Sequence, residues 1–358
     1  MKILLSPDSF KECLPAGEVA AVMAAAVREA CPGAEVIEMP LADGGEGTLE
    51  VLCTALGGSL MDVPVTDPLG RRISAPFALA RELGIIEVAR ACGLPLLTPA
   101  ERNPLKASTQ GVGELILAAH RAGCRHLLVG LGGSATCDGG AGMMAVPGLR
   151  EALQEMTVEL LCDVDTPFVG PEGAARLFAP QKGASPEDVE LLEVRMQQWA
   201  LQMLAETGRD VRTLPGAGAA GGLGGALMAY AGARAVSGID KVLDLLNFDS
   251  AARDADLVIT GEGRSDSQTL KGKVPCGVLR RVRGRCPVGL VSGAIAPEAQ
   301  EALTAAGFAF LCPVTPANTP LSEALRPDTA ARNLRTAVIS VSRQKYLPLG
   351  KMERVCDD

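Results

Sequence analysis

Short apolar runs that end in loops of glycine, serine and acidic residues occur at both ends of this chain. Residues 2–5 are followed by such a loop, then by an alanine-rich helical segment at 18–30 and a second run at 35–41. Residues 255–260 and 288–291 repeat the pattern near the other end. Strands that alternate with helices in this way predict a parallel sheet with helices on both faces.

We therefore predict an α/β fold of two domains. Residues 1–66 and 252–345 are expected to form one doubly wound domain of the Rossmann or flavodoxin type, built from both chain ends. Residues 67–251 contain strands and helices of their own and are expected to form a second, inserted α/β domain. The chain of 358 residues is long enough for two cores. Residues 346–358 are predicted to be a flexible tail.

One helix of the insert has clear sequence signals at both ends. Ser185 and Asp188 have the spacing of a capping box, proline occupies the first helical position, and Gly208 is placed to end the helix. These signals predict a helix over residues 186–207. Apolar residues at helical spacing predict that one of its faces packs into the core.

The overall charge excludes several classes of partner. Lysine and arginine number 34 against 42 aspartates and glutamates, which gives a net charge of −8. Proteins that bind nucleic acid or anionic membranes need a dominant positive field, so we predict neither partner. The 11 cysteines occur singly, without the spacing of a zinc site. They are predicted to be reduced thiols in the cytoplasm.

Two segments bear on membrane association. The first ten residues reach Pro7 and Asp8 before an apolar stretch develops, so they are not expected to act as a signal peptide. The charge-free run 213–233 is long enough to span a bilayer, but it contains Pro215 and seven glycines. We interpret it as a loop that leads into a helix, and we predict a cytoplasmic protein without a membrane segment. The sequence leaves a homo-oligomer open.

A cluster of glycines marks a candidate phosphate-binding loop. Residues 130–142 follow a predicted strand at 126–131 and contain six glycines. Backbone N–H groups without a neighbouring side chain, together with serine and threonine hydroxyls, suit phosphate oxygens. The sequence lacks the G-x-x-x-x-G-K-[ST] pattern, which excludes a Walker-A loop.

A second cluster of glycines, at residues 216–225, allows two interpretations. It matches G-x-G-x-x-G over 216–221, and Asp240 follows about 20 residues further on, as a ribose-binding acid does in dinucleotide-binding folds. A nicotinamide-dependent dehydrogenase is therefore one alternative, although residues 211–214 before the motif form a weak strand pattern. A second phosphate-binding loop is the other.

Acidic residues follow the predicted strands repeatedly, at positions that a parallel sheet places along one edge. Phosphoryl transfer uses carboxylates to hold Mg²⁺ and to accept a hydroxyl proton. An acidic protein that handles anionic substrates also needs local cations. The acids are Asp8, Asp43, Glu46, Asp163, Asp165, Glu262 and Asp266, and the cations in the same loops are Lys11, Lys182, Arg264, Lys271 and Lys273.

Stretches spread over nearly the whole chain carry a family resemblance. They are residues 6–12, 42–48, 132–142, 162–164, 180–184, 215–225, 260–268 and 272–275. Taken together and in this order, they resemble the bacterial glycerate kinases of the type often called class II. The chain departs from that family at Cys137, where the family usually has asparagine. It also has a shorter connection over residues 144–157.

The resemblance implies Mg-ATP-dependent phosphorylation of D-glycerate at the 2-hydroxyl. It also implies two α/β domains with the site in the cleft between them. Phosphorylation of the 3-hydroxyl and phosphorylation of a related small hydroxy acid remain alternatives. A protein that binds sugar acids without catalysis is a third.

On this hypothesis the candidate residues take specific roles. Asp266 or Asp43 orients or deprotonates the attacking hydroxyl. Lys182 or Arg264 neutralises charge on the transferred phosphoryl group, and Asp163 is the candidate ligand of Mg²⁺. The set expected to bind the acceptor is Asp8, Ser9, Lys11, Gly44, Gly45 and Glu46. The set expected to bind ATP is Gly132, Gly133, Ser134, Thr136, Asp138, Gly139, Gly216, Gly218, Gly221 and Gly222.

Overall fold

The computed structural model describes residues 1–346. They fall into two compact units, which we call the terminal unit (Met1–Asp43 and the chain from Val242 onward) and the inserted unit (Gly44–Lys241). The strands, in chain order, are β1 (Lys2–Pro7), β2 (Glu35–Glu38), β3 (Ser59–Thr66), β4 (Arg72–Ala80), β5 (Leu83–Glu87), β6 (His126–Gly130), β7 (Thr157–Leu161), β8 (Arg234–Val236), β9 (Leu257–Ser265), β10 (Val288–Ile295) and β11 (Phe310–Pro313).

The α-helices in chain order are α1 (Ala16–Ala30), α2 (Thr48–Ala55), α3 (Ala89–Cys92), α4 (Gln110–Arg121), α5 (Ala141–Met144), α6 (Leu149–Gln154), α7 (Ala174–Phe178), α8 (Pro186–Thr207), α9 (Leu223–Ala231), α10 (Gly238–Leu245), α11 (Phe248–Ala252), α12 (Val274–Val282), α13 (Pro297–Ala306), α14 (Leu321–Ala324) and α15 (Pro327–Tyr346). Short 3₁₀ turns lie at Leu94–Leu96, Pro99–Glu101, Pro180–Lys182, Ala219–Gly222 and Thr269–Lys271.

The sheet of the terminal unit is parallel throughout, with the strand order β2-β1-β9-β10-β11. Numbered within the unit, this is the 2-1-3-4-5 order of flavodoxin-like sheets, which confirms the predicted doubly wound α/β class. The three central strands β1, β9 and β10 are largely buried because both faces of the sheet are covered. Met23 and Val27 of α1 and Leu334 and Val338 of α15 contribute to the same core.

The winding of this sheet reverses between β1 and β9, and ligands bind at such a switch point in open α/β sheets. Pro7 at the end of β1 pairs with Gly261 in β9, so Asp8 and Glu262 come next on the two strands. The N–H of Asp8 donates to the carbonyl of Gly261 at 2.8 Å. The strand predicted over 255–260 therefore continues further than expected, as far as Ser265.

The sheet of the inserted unit has the order β3-β4-β5-β6-β7-β8. Strands β5 to β8 are parallel, and β3 and β4 add an antiparallel edge. The sequence predicts strands at residues 84–89, 126–131 and 157–163 of this unit, and they correspond to β5, β6 and β7. The predicted helix is confirmed as α8, with the Asp188 N–H donating to the Ser185 hydroxyl at 3.2 Å.

The compact units divide at other residues than the predicted domains do. Residues 44–66 were expected in the terminal domain, but β3 pairs along its length with β4 in the inserted sheet. The turn of this hairpin begins at Asp67, whose N–H donates to the Arg71 carbonyl at 2.8 Å. The second division lies between Lys241 and Val242 rather than near residue 251.

Two further expectations concern single segments. The charge-free run 213–233 forms a 3₁₀ turn and the nine-residue helix α9, and no helix within residues 1–346 is long and apolar enough to cross a membrane. Of the predicted tail, Tyr346 is the last residue of α15. Residues 347–358 lie outside the described part of the chain.

Candidate active site

Asp8 follows β1 at the switch point of the terminal sheet and is 4% exposed. Its Oδ1 accepts a hydrogen bond from the Ser9 N–H at 2.7 Å. Burial raises the pKa of Asp8 to about 8, and the negative charges of Asp43 and Glu262 act in the same direction. The Ser9 hydrogen bond and the charge of Lys11 lower this pKa only in part. Asp8 therefore exchanges its proton near neutral pH, as catalytic acids and bases do.

Glu262 lies on β9, beside the position of Asp8 after β1, and is also buried. Its Oε1 accepts hydrogen bonds from the Thr269 hydroxyl at 2.6 Å and from the Ser265 hydroxyl at 2.8 Å. Burial raises its pKa, and the two hydroxyls lower it. The Ser265 hydroxyl also lies 3.0 Å from the Ser292 hydroxyl. These bonds fix Glu262 beside Asp8, which we interpret as a positioning role.

The other predicted acceptor-side residues of the terminal unit lie near the surface. Asp266 is partly exposed, and its Oδ1 accepts a hydrogen bond from the Gln268 N–H at 2.8 Å. The Arg264 guanidinium is 69% exposed, with its Nε 3.8 Å from Asp266 Oδ2. Lys11 is exposed and Asp43 is half-buried. The structure thus brings Asp8, Asp43 and Lys11 within electrostatic reach of one another.

The inserted unit places two glycine loops at the carboxyl end of β6. A Cβ on Gly130 would lie 2.4 Å from the Gly44 carbonyl oxygen, and a Cβ on Gly132 would lie 3.4 Å from the Gly45 Cα. The backbones of residues 44–45 and 130–132 therefore approach as closely as glycine permits. Gly132 and Gly133 are exposed, and they have no side chains to keep a ligand from the loop backbone. We call residues 132–134 the exposed glycine loop.

Lys182 supports the exposed glycine loop from beneath. Its side chain is 3% exposed, and its Nζ donates to the Ser134 hydroxyl at 2.9 Å and to the Thr136 carbonyl at 2.7 Å. Burial lowers the pKa of this ammonium group. Lys182 is therefore a positioning residue for the loop as well as a positive charge beneath it.

Asp138, which is half-buried, holds the second half of the glycine cluster at residues 138–142, and Thr136 lies just before it. Both oxygens of Asp138 are used: Oδ1 accepts from the Gly140 N–H, and Oδ2 accepts from the N–H groups of Gly142 and Thr109 and from the Thr109 hydroxyl, all at 2.9–3.0 Å. Thr136 is fully buried. Their predicted contact with ATP thus has no exposed side chain to support it.

Several of the predicted ATP-binding glycines are packed in the core. A Cβ on Gly221 would lie 2.0 Å from the Thr136 carbonyl oxygen, and one on Gly218 would lie 2.3 Å from the Pro167 carbonyl oxygen. A Cβ on Gly139 would meet Trp199 at 2.8 Å. Close packing explains these glycines and Gly222 without a ligand, and the positive φ of 78° explains Gly216. The residues described directly before 216 form no strand, so a dinucleotide-binding motif lacks its structural context.

Glu87 is a residue that sequence reasoning missed. It ends β5, is 4% exposed, and its Oε1 accepts a hydrogen bond from the Leu49 N–H in the first turn of α2 at 2.8 Å. Its Oε2 accepts from the Arg90 Nε at 2.9 Å. Glu87 thereby anchors the helix that follows the 44–47 loop. The sequence predicts a strand over residues 84–89, which places Glu87 inside it, so the only available signal was an acid in an apolar run.

We expect Glu87→Leu to lower the free energy of unfolding by about 1–3 kcal/mol, because it leaves the Leu49 N–H and part of the Arg90 guanidinium without their acceptor. Urea denaturation measures the change. Glu82→Leu, at an exposed position just before the same strand segment, is the control and should be near neutral. Equal stability of the two variants contradicts the anchoring role.

The candidate magnesium ligand, Asp163, lies just after β7. It is exposed, and its Oδ1 accepts a hydrogen bond from the Gly238 N–H at 3.3 Å. Within residues 1–346 no group of three or more histidine, cysteine or acidic side chains is arranged to hold a metal. Mg²⁺ that arrives with nucleotide phosphates needs only one or two protein carboxylates, so an exposed aspartate fits it.

The two departures from the resembled family have structural outcomes. Cys137 is buried in the core, with its Sγ 3.8 Å from the Met196 Sδ, so its thiol faces apolar neighbours. Burial raises its pKa to about 11. The short connection after Met144 forms α6 and then enters β7, which pairs in parallel with β6 from Thr157 and His126 onward. The sheet is therefore continuous across the shortened segment.

The terminal unit has a buried aspartate at the switch point of a flavodoxin-like sheet, and the inserted unit has an exposed glycine loop above a buried lysine. These are groups that a small-molecule kinase uses for proton transfer and for binding phosphate. The sequence matches the profile of the Glycerate kinase family over residues 3–150 and 144–345. The chain belongs to this family. The two matched segments meet at the shortened connection.

Named relatives and a solved structure agree with the family. The chain is 40% identical to the Glycerate kinase of Bacillus subtilis (strain 168), over 90% of this chain and 93% of that protein. It is 41% identical to the Glycerate 2-kinase of Escherichia coli (strain K12), over 78% of this chain and 81% of that protein. A crystal structure assigned as glycerate kinase 2 of Salmonella typhimurium LT2 superposes with a TM-score of 0.86 at 40% identity, covering 99% of this chain and all of that one.

Proposed function

We propose that this protein transfers the γ-phosphoryl group of ATP to the 2-hydroxyl of D-glycerate and releases 2-phospho-D-glycerate and ADP. The observation that carries the proposal is Asp8, a buried carboxyl whose pKa of about 8 suits it to take a proton from a hydroxyl. Membership of the glycerate kinase family and the similarity to a named glycerate 2-kinase support the choice of substrate and position.

The terminal unit is assigned to the acceptor. The oxygen of the 2-hydroxyl bonds to the γ-phosphorus while the bond between that phosphorus and the ADP oxygen breaks. The ionised form of Asp8 accepts the proton that the hydroxyl loses. Lys11 supplies a positive charge for the glycerate carboxylate, and the Ser9 hydroxyl supplies a hydrogen-bond donor. Asp43, whose charge raises the pKa of Asp8, keeps the carboxyl in the range where it can both take and return a proton.

The inserted unit is assigned to the donor. The N–H groups of Gly132 and Gly133, exposed at the end of β6, bind phosphate oxygens, and Lys182 holds their loop in place through Ser134. Asp163 would hold Mg²⁺, which when bound offsets the charge of the β- and γ-phosphates. Because the cysteines of the described residues are free thiols and ATP is the donor, we propose a cytoplasmic location.

Coupling the reaction to enolase tests both the substrate and the position. Enolase converts 2-phosphoglycerate, but not 3-phosphoglycerate, into phosphoenolpyruvate. The conjugated double bond of this product absorbs ultraviolet light that 2-phosphoglycerate does not absorb. We expect absorbance to rise with D-glycerate, MgATP and enolase alone. A rise that requires added phosphoglycerate mutase would mean phosphorylation of the 3-hydroxyl, and no rise in either mixture would favour a binding protein without kinase activity.

A further inference from the structure

The inserted unit contains a cavity that none of the assigned roles uses. It has a volume of about 440 Å³ and lies beyond the carboxyl ends of β7 and β8. Pockets for small organic ligands usually have volumes of about 300–1,000 Å³. The cavity is lined by Cys162, Val164, Asp165, Leu214, Pro215, Met228, Arg234, Ala235, Val236 and Ser237.

The walls of this cavity are aliphatic and partly uncovered. Val164 is 43% exposed and Leu214 is 41% exposed, although both are large apolar residues. Met228 forms a buried part of the wall. Large apolar side chains left open to solvent around a concave site favour an apolar or planar ligand, because covering them removes their surface from water.

The polar groups of the cavity suit a nucleoside. Asp165 and Ser237 line it among the aliphatic residues and can pair with the amino and hydroxyl groups of a base and a ribose. The Arg234 side chain is a further lining residue and can meet a phosphate or stack on a planar base. A few polar groups in an aliphatic pocket give orientation to a flat ligand.

The register of the sheet aligns the cavity with the exposed glycine loop. Gly130 at the end of β6 pairs with Leu161 of β7, and Leu161 pairs with Val236 of β8. Neighbouring strands are about 4.8 Å apart, so the ends of β6 and β8 are about 10 Å apart along one edge. That separation suits a nucleotide whose base and phosphates occupy neighbouring positions on one edge.

We propose that this cavity binds the purine nucleoside of ATP, with the triphosphate directed toward the exposed glycine loop. This inference rests on the proposed kinase function and adds the position of the base. It predicts that the aliphatic rim controls nucleotide affinity while leaving the acceptor side of the reaction unchanged.

Leu214→Asp tests the rim, because it places a carboxylate where the base would pack at a position that is exposed and therefore dispensable for folding. We expect the dissociation constant for ATP to rise at least about tenfold, measured by calorimetry without glycerate. The KM for D-glycerate should stay within about twofold. Leu201→Asp is the matched control, because Leu201 is 53% exposed on α8 and does not line the cavity.

Alkylation of Cys162, followed by mass spectrometry of its peptide, gives a readout that needs no turnover. At an ATP concentration ten times its dissociation constant, about nine tenths of the sites are occupied. We therefore expect Cys162 to react about tenfold more slowly. The half-buried Cys31 of the terminal unit is the internal reference and should react at the same rate with and without ATP.

The outcomes separate this inference from the function on which it rests. If the wild type phosphorylates glycerate but Leu214→Asp binds ATP as Leu201→Asp does, and Cys162 is not protected, the base lies elsewhere while the kinase function stands. If the wild type neither binds ATP nor turns over, both proposals are overturned.

Discussion

Asp8→Asn is expected to lower kcat by about 10²–10⁴-fold, because asparagine cannot take the proton of the attacking hydroxyl. The substitution is nearly isosteric, and an amide oxygen at the same place can still accept the Ser9 N–H that Asp8 binds at 2.7 Å. The fold should therefore survive. Steady-state kinetics at saturating ATP and glycerate measure the loss. Asp254→Asn, at an exposed position of the terminal unit, is the control and should retain full activity.

The same substitution also tests the raised pKa of Asp8, through the pH dependence of stability. The folded-state pKa of Asp8, about 8, lies above its ordinary value of 3.8. Between these values the folded state keeps a proton that the unfolded state has lost, so the contribution of Asp8 to stability is present at low pH and is lost as pH rises through 8. Asp8→Asn removes this dependence.

Thermal unfolding across pH measures this dependence. We expect the variant and the wild type to have similar Tm values near pH 5, and the variant to have the higher Tm near pH 9, where the wild type must bury an ionised carboxylate. The activity of the wild type should rise with pH through about 8, as the base ionises. An Asp8→Asn variant with wild-type kcat removes Asp8 from the proton transfer.

Lys182→Met is expected to lower kcat/KM for ATP by about 10²-fold or more, because a displacement of about 1 Å in a positioning group has effects of that size. Methionine has a similar length but cannot donate to the Ser134 hydroxyl or the Thr136 carbonyl, which Lys182 binds at 2.9 and 2.7 Å. Kinetics with each substrate varied in turn measure the effect. The KM for glycerate should change much less than the KM for ATP.

Two controls define the role of Lys182. Lys106→Met changes an exposed lysine of the same unit and should have no effect on either KM. Lys182→Arg keeps the charge, but a planar guanidinium cannot reproduce both hydrogen bonds that the lysine ammonium makes. This variant should therefore recover only part of the activity. If Lys182→Met retains the wild-type KM for ATP and the wild-type kcat, the lysine does not position the donor loop.

The sequence predicts the terminal sheet well because its strands are buried on both faces. Such strands are continuous apolar runs, and the buried acids come where those runs stop: Asp8 directly after β1, and Glu262 within β9. The capping box of α8 is equally local, so its first residue could be predicted from Ser185 and Asp188 alone. Features that depend on residues close together in the chain can be predicted from a single sequence.

Features that depend on pairing between distant segments cannot be predicted from the local sequence. The hairpin of β3 and β4 has a half-exposed, irregular pattern, and its turn at Asp67 has the composition of a linker. Glycine is ambiguous for the same reason: Gly132 is exposed at a loop, whereas Gly221 lies against the Thr136 carbonyl. Both glycines let another group approach the backbone closely. Only the fold determines whether that group is a ligand or another part of the chain.

The most direct test of the central claim is ³¹P NMR of the protein with MgATP and D-glycerate, beside a sample without glycerate. We expect a phosphomonoester resonance that coincides with added 2-phospho-D-glycerate and grows as the γ-phosphate resonance of ATP falls. The sample without glycerate should keep its ATP. An ATP spectrum that stays unchanged with glycerate present, or one in which only inorganic phosphate appears, would contradict the assignment as a glycerate 2-kinase.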